Sequence, residues 1–314
     1  MKIIFFGLGS IGQRHARLLQ ESRKHELFAL RSQCSDASEP DFPIHALKNW
    51  DEVDKVRPEV AFITNPTALH IETAVRCAER GMALFLEKPL GASEKGLDEL
   101  LRLIKEKSLV TYVAYVLRFH PVIIQLKEIL EKNPGTLRIE AASFLPTWRP
   151  GRDLKKSYSS LRELGGGVVF DLSHEIDYVN YILGPVENIE GVCAKRGNVT
   201  VDAEDSADMY IMCREGRFAS IHLSFLSHLH QRQIIAYLQE STVVADLIKN
   251  DILIYKENAV IEQMNFSIER EELFRRQLNF FFSNIDNPSM SNNIIEASNL
   301  FRKICLFKQK CYVD

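Results

Sequence analysis

The opening segment MKIIFFGLGSIG constrains the fold of this chain more than any other part of it. Residues 3–6 form an apolar run that predicts a short buried strand, and residues 10–20 carry helix formers with an apolar stripe. Gly7, Gly9 and Gly12 form Gly-x-Gly-x-x-Gly, a turn that brings the backbone close to a dinucleotide pyrophosphate and points a helix N-terminus at it. An ordinary strand, turn and helix is the alternative, but the flanking strand and helix favour a dinucleotide site.

Length and composition indicate a globular protein with two domains. The chain has 314 residues, which is long for one hydrophobic core, and its contents of 46% hydrophobic and 26% charged residues exclude disordered and fibrous classes. The net charge of -3 gives no general attraction to nucleic acid or to an anionic membrane, so we expect neither as a partner. The apolar start is too short for a signal peptide or a membrane span. Six cysteines without a Cys-x-x-Cys pair predict reduced thiols and a cytoplasmic location.

Strands and helices alternate in the first part of the chain. After the first unit, strands are predicted at residues 27–30, 60–64, 83–86 and 110–115, with helices at residues 50–56, 68–80 and 94–107. This alternation predicts right-handed βαβ units and therefore an α/β domain with a doubly wound parallel sheet.

The second part of the chain has a different pattern. Apolar residues recur with a period near two over residues 136–144 and 186–255, which predicts a mostly antiparallel sheet, and helices are predicted at residues 168–183, 271–284 and 294–308. We therefore predict a dinucleotide-binding domain over residues 1–118 and an α+β domain over residues 119–314, whose last helix can pack back on the first domain. The sheet has a second face to cover, which predicts a homodimer or homotetramer through this sheet.

The residues after the second strand bear on the choice between NAD(H) and NADP(H). A carboxylate there accepts from the ribose 2′-OH and repels a 2′-phosphate. In this chain Arg31 and Ser32 follow the strand, and both can bind a phosphate. We therefore predict NADP(H) over NAD(H). The alternatives are a solvated Arg31 and a ribose contact from Asp36.

Polar residues follow two further strands, where ligands bind an open α/β sheet. Thr64-Asn65-Pro66, with His70 in the next helix, follows one strand, and Glu87-Lys88-Pro89 follows the other. A proline fixes the backbone at each turn. We expect Lys88 to reach the nicotinamide and to exchange a proton with the substrate, although a surface lysine is the alternative.

Motifs along nearly the whole chain match one known family. They are Gly7-Leu-Gly-Ser-Ile-Gly12 with Arg14-His15, Asn65-Pro66-Thr67, Glu87-Lys88-Pro89, Arg118-Phe119-His120-Pro121, and Gly165-Gly-Gly167 followed by Asp171, His174 and Asp177. Together they resemble the Gfo/Idh/MocA family of NAD(P)-dependent oxidoreductases. The resemblance implies a nicotinamide-binding Rossmann domain, a second domain with an open sheet that lines the substrate site, and Lys88 as a catalytic residue.

We predict two sets of binding residues from these motifs. The cofactor set is Gly7, Gly9, Ser10, Ile11, Gly12, Arg31, Ser32, Thr64, Asn65, Pro66, His70, Glu87 and Lys88. The substrate set is Arg118, Trp148, Arg149, Tyr158, Asp171, His174 and Tyr178.

The helix around His174 supplies the other predicted catalytic residues. Helical spacing puts Asp171, His174 and Tyr178 on one face and Asp177 on another. Family dehydrogenases commonly show Asp-x-x-x-His, whereas Asp171-Leu-Ser-His174 is one residue shorter, which weakens the assignment of Asp171 more than that of His174. A core histidine bonded to a carbonyl is the alternative for His174. The hypothesis is hydride transfer between the nicotinamide and a sugar carbon, while Lys88 and His174 handle the hydroxyl proton.

A basic and aromatic loop over residues 145–167 precedes this helix. It contains Trp148, Arg149, Arg152, Lys155, Lys156, Tyr158 and Arg162 against Asp153 and Glu163. Arginines bind anions bidentately and aromatic rings stack on sugars or bases, which predicts an anionic or nucleotide-linked sugar; a solvated loop is the alternative. Thr147-Trp-Arg-Pro with the triple glycine resembles family members of surface-polysaccharide sugar synthesis, which favours an activated sugar.

Two other functions stay open at this point. The fold could sense NADP(H) or a sugar without turnover, or the nicotinamide could stay bound and support a net elimination or hydrolysis. The presence of both Lys88 and His174 favours catalysis. We interpret His222, His228 and His230 as structural, and we predict no metal.

Overall fold

A computed structural model of the chain describes residues 1–30, 40–148, 161–197, 202–310 and 312–313. The chain forms two compact units, and each of them combines two segments. Met1–Ala114 and Phe274–Ser298 make the first unit, and Tyr115–Leu273 and Asn299–Asp314 make the second.

The first unit is built on a six-stranded parallel sheet. Its strands are β1 (Lys2–Phe6), β2 (Glu26–Leu30), β3 (His45–Leu47), β4 (Val60–Ile63), β5 (Ala83–Leu86) and β6 (Thr111–Val113). The strand order is β3-β2-β1-β4-β5-β6, so the direction of winding reverses between β1 and β4. The predicted doubly wound parallel sheet is confirmed, and the reversal point is where such sheets bind ligands.

Four helices of the first unit connect these strands: α1 (Ser10–Ser22), α2 (Trp50–Val56), α3 (His70–Glu79) and α4 (Leu97–Lys107). The core of the sheet is aromatic, because Phe62 stacks on Phe85 with ring centroids 4.4 Å apart and Phe281 meets Phe85 edge-on at 5.3 Å. Strands buried on both faces read as continuous apolar runs, and this is why β4 and β5 were recognisable in the sequence. The three-residue strand β3 was not predicted, since none of its residues is buried.

The second unit is built on a nine-stranded sheet in the order β14-β13-β12-β11-β7-β10-β9-β8-β15. The strands are β7 (Gly135–Phe144), β8 (Val186–Ala194), β9 (Ser206–Cys213), β10 (Phe218–Ser224), β11 (Leu226–Leu238), β12 (Thr242–Asp246), β13 (Asp251–Lys256), β14 (Ala259–Asn265) and β15 (Tyr312–Val313). All pairs are antiparallel except β7 with β10 and β8 with β15. The predicted open, mostly antiparallel sheet is confirmed.

In the described part of the chain after β6, the α-helices are α5 (Pro121–Lys132), α6 (Val168–Asp171), α7 (Ser173–Leu183), α8 (Arg270–Ser283) and α9 (Ile294–Lys310). The sequence predicted one helix over residues 168–183, and this is wrong in one respect. Leu172 has φ -96° and ψ 29°, which ends α6 and separates it from α7. No helix among the described residues is long and apolar enough to cross a membrane.

Helix α5 was not predicted and begins with a cap made by His120. The His120 Nδ1 atom accepts a hydrogen bond from the Val122 amide at 3.3 Å, and Pro121 occupies the first helical position. Burial lowers the pKa of His120 to about 4, and the charge of Arg232 acts in the same direction against a hydrogen bond with Asn250.

We predict that His120 makes the second unit sensitive to acid. Its folded-state pKa of about 4 lies below its ordinary value of 6.5, so the unfolded chain binds more protons between these pH values. The contribution to stability is complete above pH 6.5 and is lost as the pH falls toward 4; at pH 5 the loss is about 2 kcal/mol.

Urea unfolding of the wild type and of His120→Asn at neutral pH and at pH 5 measures this effect. Asparagine keeps an oxygen that can cap α5 but does not titrate. The stability of the variant relative to the wild type should therefore rise by about 2 kcal/mol on acidification. A difference that does not change with pH would contradict the assignment.

Candidate functional site

The glycine turn after β1 is packed against the end of β4. Gly7 has φ +95°, and a Cβ atom there would lie 2.7 Å from the Asn65 Cα. A Cβ on Gly12 would overlap the carbonyl oxygen of Gly7 and lie 2.7 Å from the Thr64 Oγ1. That hydroxyl donates to the Gly7 carbonyl oxygen at 2.5 Å. Glycine is therefore required at positions 7 and 12 by the protein's own packing.

Gly9 differs from the other two glycines. It has φ -68°, which any residue can adopt, and a Cβ built on it would meet no atom within 4 Å. It stands at the N-terminus of α1, whose first turn carries no acidic residue and has no side-chain cap. The amides of Ser10, Ile11 and Gly12 have no intrahelical acceptor. The space beside Gly9 and the adjacent amides therefore fit the pyrophosphate of a dinucleotide.

Two turns follow β4 and β5, which are neighbours in the sheet. In the first turn, the Asn65 Nδ2 donates to Thr73 Oγ1 at 2.8 Å, and the Asn65 Oδ1 is buried without a hydrogen-bond partner among the described residues. A buried oxygen of this kind suits a donor on a bound ligand. Pro66 is exposed.

The second turn contains the predicted catalytic lysine. Glu87 is buried, its Oε1 lies 2.8 Å from the His15 Nε2, and its Oε2 accepts from the Lys88 amide at 3.3 Å. Lys88 is half-buried, and its peptide bond to Pro89 is cis. Both carboxylate oxygens of Glu87 therefore contact groups of the protein, whereas Lys88 is only half-buried.

His70 lies between the two turns. Its Nδ1 lies 2.9 Å from the Pro89 carbonyl oxygen and its Nε2 lies 2.9 Å from the Asn65 carbonyl oxygen. Burial lowers the pKa of His70, and the two carbonyl groups and the charge of Glu87 act in the opposite direction. Both ring nitrogens face protein acceptors, so a hydrogen bond from His70 to the cofactor, as predicted from sequence, is not what the structure supports.

In the second unit, Arg118 forms a buried ion pair that the sequence did not predict. Its Nε and Nη2 donate to the two carboxylate oxygens of Asp177 at 2.9 and 2.7 Å, and the guanidinium lies 5.2 Å from the centre of the Tyr181 ring. Arg118 contacts both carboxylate oxygens of Asp177, which the sequence analysis placed outside the catalytic set. Contact between Arg118 and a substrate stays a prediction.

The predicted convergence of Asp171, His174 and Tyr178 is only partly what the structure shows. Asp171 ends α6 and is buried, whereas His174 is in α7, half-buried, with its ring edge-to-face to Tyr115 at 5.7 Å. The break at Leu172 therefore removes Asp171 from the helical face assumed in the prediction. Tyr178 is wholly buried, and burial, followed by the charge of Glu175, raises its pKa well above the ordinary value. Its hydroxyl is buried without a hydrogen-bond partner among the described residues, and its contact with substrate stays a prediction.

Two more ion pairs, each of a buried carboxylate with a partly exposed base, lie in the second unit. The Arg232 Nε of β11 lies 2.8 Å from the Glu175 Oε1 of α7, and the Lys308 Nζ of α9 lies 2.7 Å from the Glu204 Oε1. Both carboxylates are fully enclosed, so losing either base would leave an uncompensated buried charge. These pairs could not be predicted from sequence spacing, because the two members of each pair come from segments far apart in the chain.

The substrate loop is described only at its ends. Trp148 is 38% exposed, and its Nε1 donates to Ser143 Oγ at 2.8 Å. It lines a cavity of about 260 Å³ whose other lining residues are Ser143, Phe144, Thr147, Ser227, His228 and His230. The predicted residues Arg149, Arg152, Lys155, Lys156 and Tyr158, like Arg31, Ser32 and Asp36, lie outside the described residues.

The three strand histidines have protein partners or lie beside the cavity. His222 Nδ1 lies 2.8 Å from the Asp208 Oδ1 across the β9–β10 pair, and His228 stacks on Phe144 at 4.1 Å. The carboxylate partner of His222 comes from the neighbouring strand, where sequence spacing did not show it. Within the described ranges, no three His, Cys, Asp or Glu side chains form a group that could hold a metal ion.

Comparison with known proteins identifies the family. A model described as an oxidoreductase family with an NAD-binding Rossmann fold matches residues 1–115, and the model of the GFO/IDH/MocA C-terminal domain matches residues 123–244. The chain belongs to the Gfo/Idh/MocA oxidoreductase family. The family predicted from the sequence motifs is thereby confirmed.

The matched relatives are distant. The chain is 23% identical over 196 residues to the 2,7-anhydro-N-acetylneuraminate hydratase of Mediterraneibacter gnavus, covering 60% of this chain and 51% of that protein. It is 25% identical over 216 residues to the UDP-N-acetylglucosamine 3-dehydrogenase of Acidithiobacillus ferrooxidans, covering 67% of this chain and 63% of that protein. The chain therefore spans about half the length of the first relative and somewhat more of the second.

Solved structures show the same fold over almost the whole chain. The UDP-N-acetylglucosamine 3-dehydrogenase from Acidithiobacillus ferrooxidans superimposes with a TM-score of 0.80 at 19% identity, covering 98% of this chain and 97% of that chain. Levoglucosan dehydrogenase in complex with NADH and levoglucosan gives 0.85 at 16% identity, covering 99% and 97%. At these identities the likeness establishes the fold alone.

We predict that Gly9→Ala separates ligand binding from folding. The added methyl group meets no protein atom, so the unfolding free energy should change by less than about 1 kcal/mol, while the affinity for NADH and NADPH falls at least about tenfold. Fluorescence titration with each reduced dinucleotide and thermal unfolding measure the two effects. Gly12→Ala is the control and should instead lower stability, since its methyl overlaps Gly7. Unchanged dinucleotide affinity in Gly9→Ala would disprove the pyrophosphate site.

Proposed function

We propose that this protein is an NAD(P)-dependent dehydrogenase or reductase that acts on a hydroxyl or keto carbon of a sugar. The observation that carries the proposal is the open space beside Gly9 at the N-terminus of α1, on the same sheet edge as the Lys88 turn. This arrangement combines a place for an anionic dinucleotide with a proton-carrying side chain. The names of the relatives, which include a UDP-N-acetylglucosamine dehydrogenase and a levoglucosan dehydrogenase, support a sugar as substrate.

In this proposal the residues have distinct tasks. The amides at the start of α1 hold the pyrophosphate, and Asn65 offers its buried oxygen to the bound ligand. The nicotinamide, when bound, supplies or accepts the hydride. From the sequence motifs we assign the proton of the reacting hydroxyl to Lys88 and His174, and we keep Asp171 as a third catalytic residue. Lys88 belongs to the first compact unit, and His174 and Asp171 belong to the second.

We extend the proposal to the cofactor and the sugar. NADP(H) is favoured over NAD(H) by Arg31 and Ser32, since a guanidinium and a hydroxyl can bind the 2′-phosphate. The excess of Lys and Arg over residues 145–167 favours an anionic or nucleotide-linked sugar, with Arg149, Tyr158 and the exposed Trp148 as contacts. Such a sugar suits the synthesis of surface glycans in the cytoplasm.

A second function is favoured by the relative from Mediterraneibacter gnavus, which is named a hydratase. A nicotinamide that stays bound could oxidise and re-reduce the substrate within one cycle, so that the product forms without net change in the cofactor. The regulatory alternative, in which no turnover occurs, is less favoured because the half-buried Lys88 keeps its position at the strand end.

A substrate panel tests the proposed function. We expect NADP⁺, in preference to NAD⁺, to be reduced with UDP-N-acetylglucosamine rather than with levoglucosan, followed by the absorbance of the reduced nicotinamide. Lys88→Met should lower turnover at least about 100-fold and leave dinucleotide affinity within about threefold, because it removes the proton carrier and not the phosphate site. Lys95→Met, at an exposed lysine of the same unit, is the control.

The outcomes of the panel are distinct. Product without net absorbance change supports the resident-nicotinamide reaction. Undiminished turnover in Lys88→Met contradicts the catalytic role of Lys88, and a preference for NAD⁺ contradicts the assignment of Arg31 and Ser32.

We also propose that two copies associate through the open face of the second unit's sheet. Tyr210 and Met212 of β9 are 65% and 51% exposed, and the register places Phe218 of β10 opposite Met212 on the same face. An exposed apolar patch on a sheet face is typical of an interface between copies.

Light scattering after size-exclusion chromatography tests this association. The wild type should be a dimer or tetramer, and the double variant Tyr210→Lys with Met212→Lys should be a monomer, since charges on this face oppose burial. Leu69→Lys, which charges an exposed apolar residue of the first unit, should keep the wild-type mass. A monomeric wild type would contradict the proposal.

A further inference from the structure

Two buried histidines from two different helices contact the two ends of the Glu87–Lys88–Pro89 turn. We infer that His15 and His70 are positioning residues that fix the backbone of this turn and thereby aim the side chain of Lys88. The inference rests on the proposed function, because the aim of Lys88 affects a rate only if Lys88 exchanges the substrate proton. Neither histidine reaches the surface, so both act through the turn.

The first contact is between His15 and the Glu87 side chain. His15 Nε2 and Glu87 Oε1 are 2.8 Å apart, and the other carboxylate oxygen accepts from the Lys88 amide. The imidazole is packed among three aromatic rings, those of Phe62, Phe85 and Phe274, with centroid distances of 5.8, 5.1 and 5.5 Å. Because a close-packed interior allows little displacement, His15 cannot leave Glu87 without opening a cavity.

The second contact is between His70 and the backbone of the turn. His70, the first residue of α3, spans from the Pro89 carbonyl to the Asn65 carbonyl with both distances at 2.9 Å. A neutral imidazole has one N–H and donates to one of these two carbonyl groups at a time, and donation to Pro89 is the contact that holds the turn.

The two contacts fix the turn that carries Lys88 relative to the dinucleotide site. His15 is in α1, the helix whose N-terminus fits the pyrophosphate, so its contact with Glu87 fixes the lysine turn relative to that helix. Lys88 is the one residue of Glu87–Lys88–Pro89 that is not buried. A displacement of about 1 Å between reacting groups can lower a rate about 100-fold while binding is kept.

Mirrored substitutions test the inference. The amide nitrogen of asparagine can replace Nδ1 of histidine, and the longer side chain of glutamine can replace Nε2. His70→Asn therefore keeps a donor for Pro89, while His70→Gln loses it. At position 15 the expectation reverses, because His15→Gln keeps a donor for Glu87 and His15→Asn loses it. A general effect of either substitution on packing cannot produce this reversal.

The first readout needs no substrate. The rate at which acetic anhydride acetylates Lys88, measured by mass spectrometry and divided by the rate at Lys95 in the same molecules, should change at least about threefold in His70→Gln and His15→Asn. It should stay at the wild-type value in His70→Asn and His15→Gln. Thermal unfolding identifies a variant that does not fold. In that case the two substitutions at the other histidine test the inference.

The second readout is turnover with the sugar that the panel identifies. The two contact-losing variants should show kcat lowered about ten- to 100-fold with the KM for NADP⁺ within about threefold. If all folded variants acetylate Lys88 like the wild type, the inference is wrong, whatever the enzyme's substrate. If acetylation follows the mirrored pattern while no sugar reacts, the positioning of Lys88 is supported and the proposed function fails.

Discussion

The hydrogen bond from the Thr64 hydroxyl to the Gly7 carbonyl oxygen joins the glycine turn to the end of the neighbouring strand β4. A Cβ on either Gly7 or Gly12 would meet this same junction at less than van der Waals distance. The start of α1 therefore takes its position from β4 as well as from β1. The free amides of α1 lie at its N-terminus, so the position of the anion site depends on this junction. The turn that α1 contacts through His15 depends on it for the same reason.

The second unit fixes its helices by buried charge instead. Arg118 with Asp177 and Arg232 with Glu175 hold α7 from two sides, and His174 directly precedes Glu175 on this helix. Removing one partner of a buried pair costs far more than the intact pair contributes, so such pairs specify one arrangement more than they add stability. The half-buried His174 is thus carried by a helix with little freedom to rotate.

Local patterns predicted the parts of the structure that local physics decides. The strands β4 and β5, the glycine turn and the second sheet follow from apolar periodicity and backbone requirements that lie within a few residues. The break at Leu172 has no such mark, because the apolar spacing from Val168 continues through it and no Gly or Pro stands there. The pair of Arg118 and Asp177 joins residues 59 apart, so only the folded chain brings them together. The first miss separates Asp171 from the helix of His174, and the second gives Asp177 an ion-pair partner that helical spacing did not reveal.

The three glycines of the opening motif separate folding from function. Packing alone explains Gly7 and Gly12, and a protein with no ligand would need them as much. Packing does not explain Gly9, which has ordinary dihedrals and open space where its side chain would be. The same distinction applies to the Lys88 turn, where Glu87 and Pro89 are held by buried histidines and Lys88 is not buried. In both places a residue that the protein core does not enclose lies between residues that packing or buried contacts fix, which is the arrangement expected of groups held ready for a ligand.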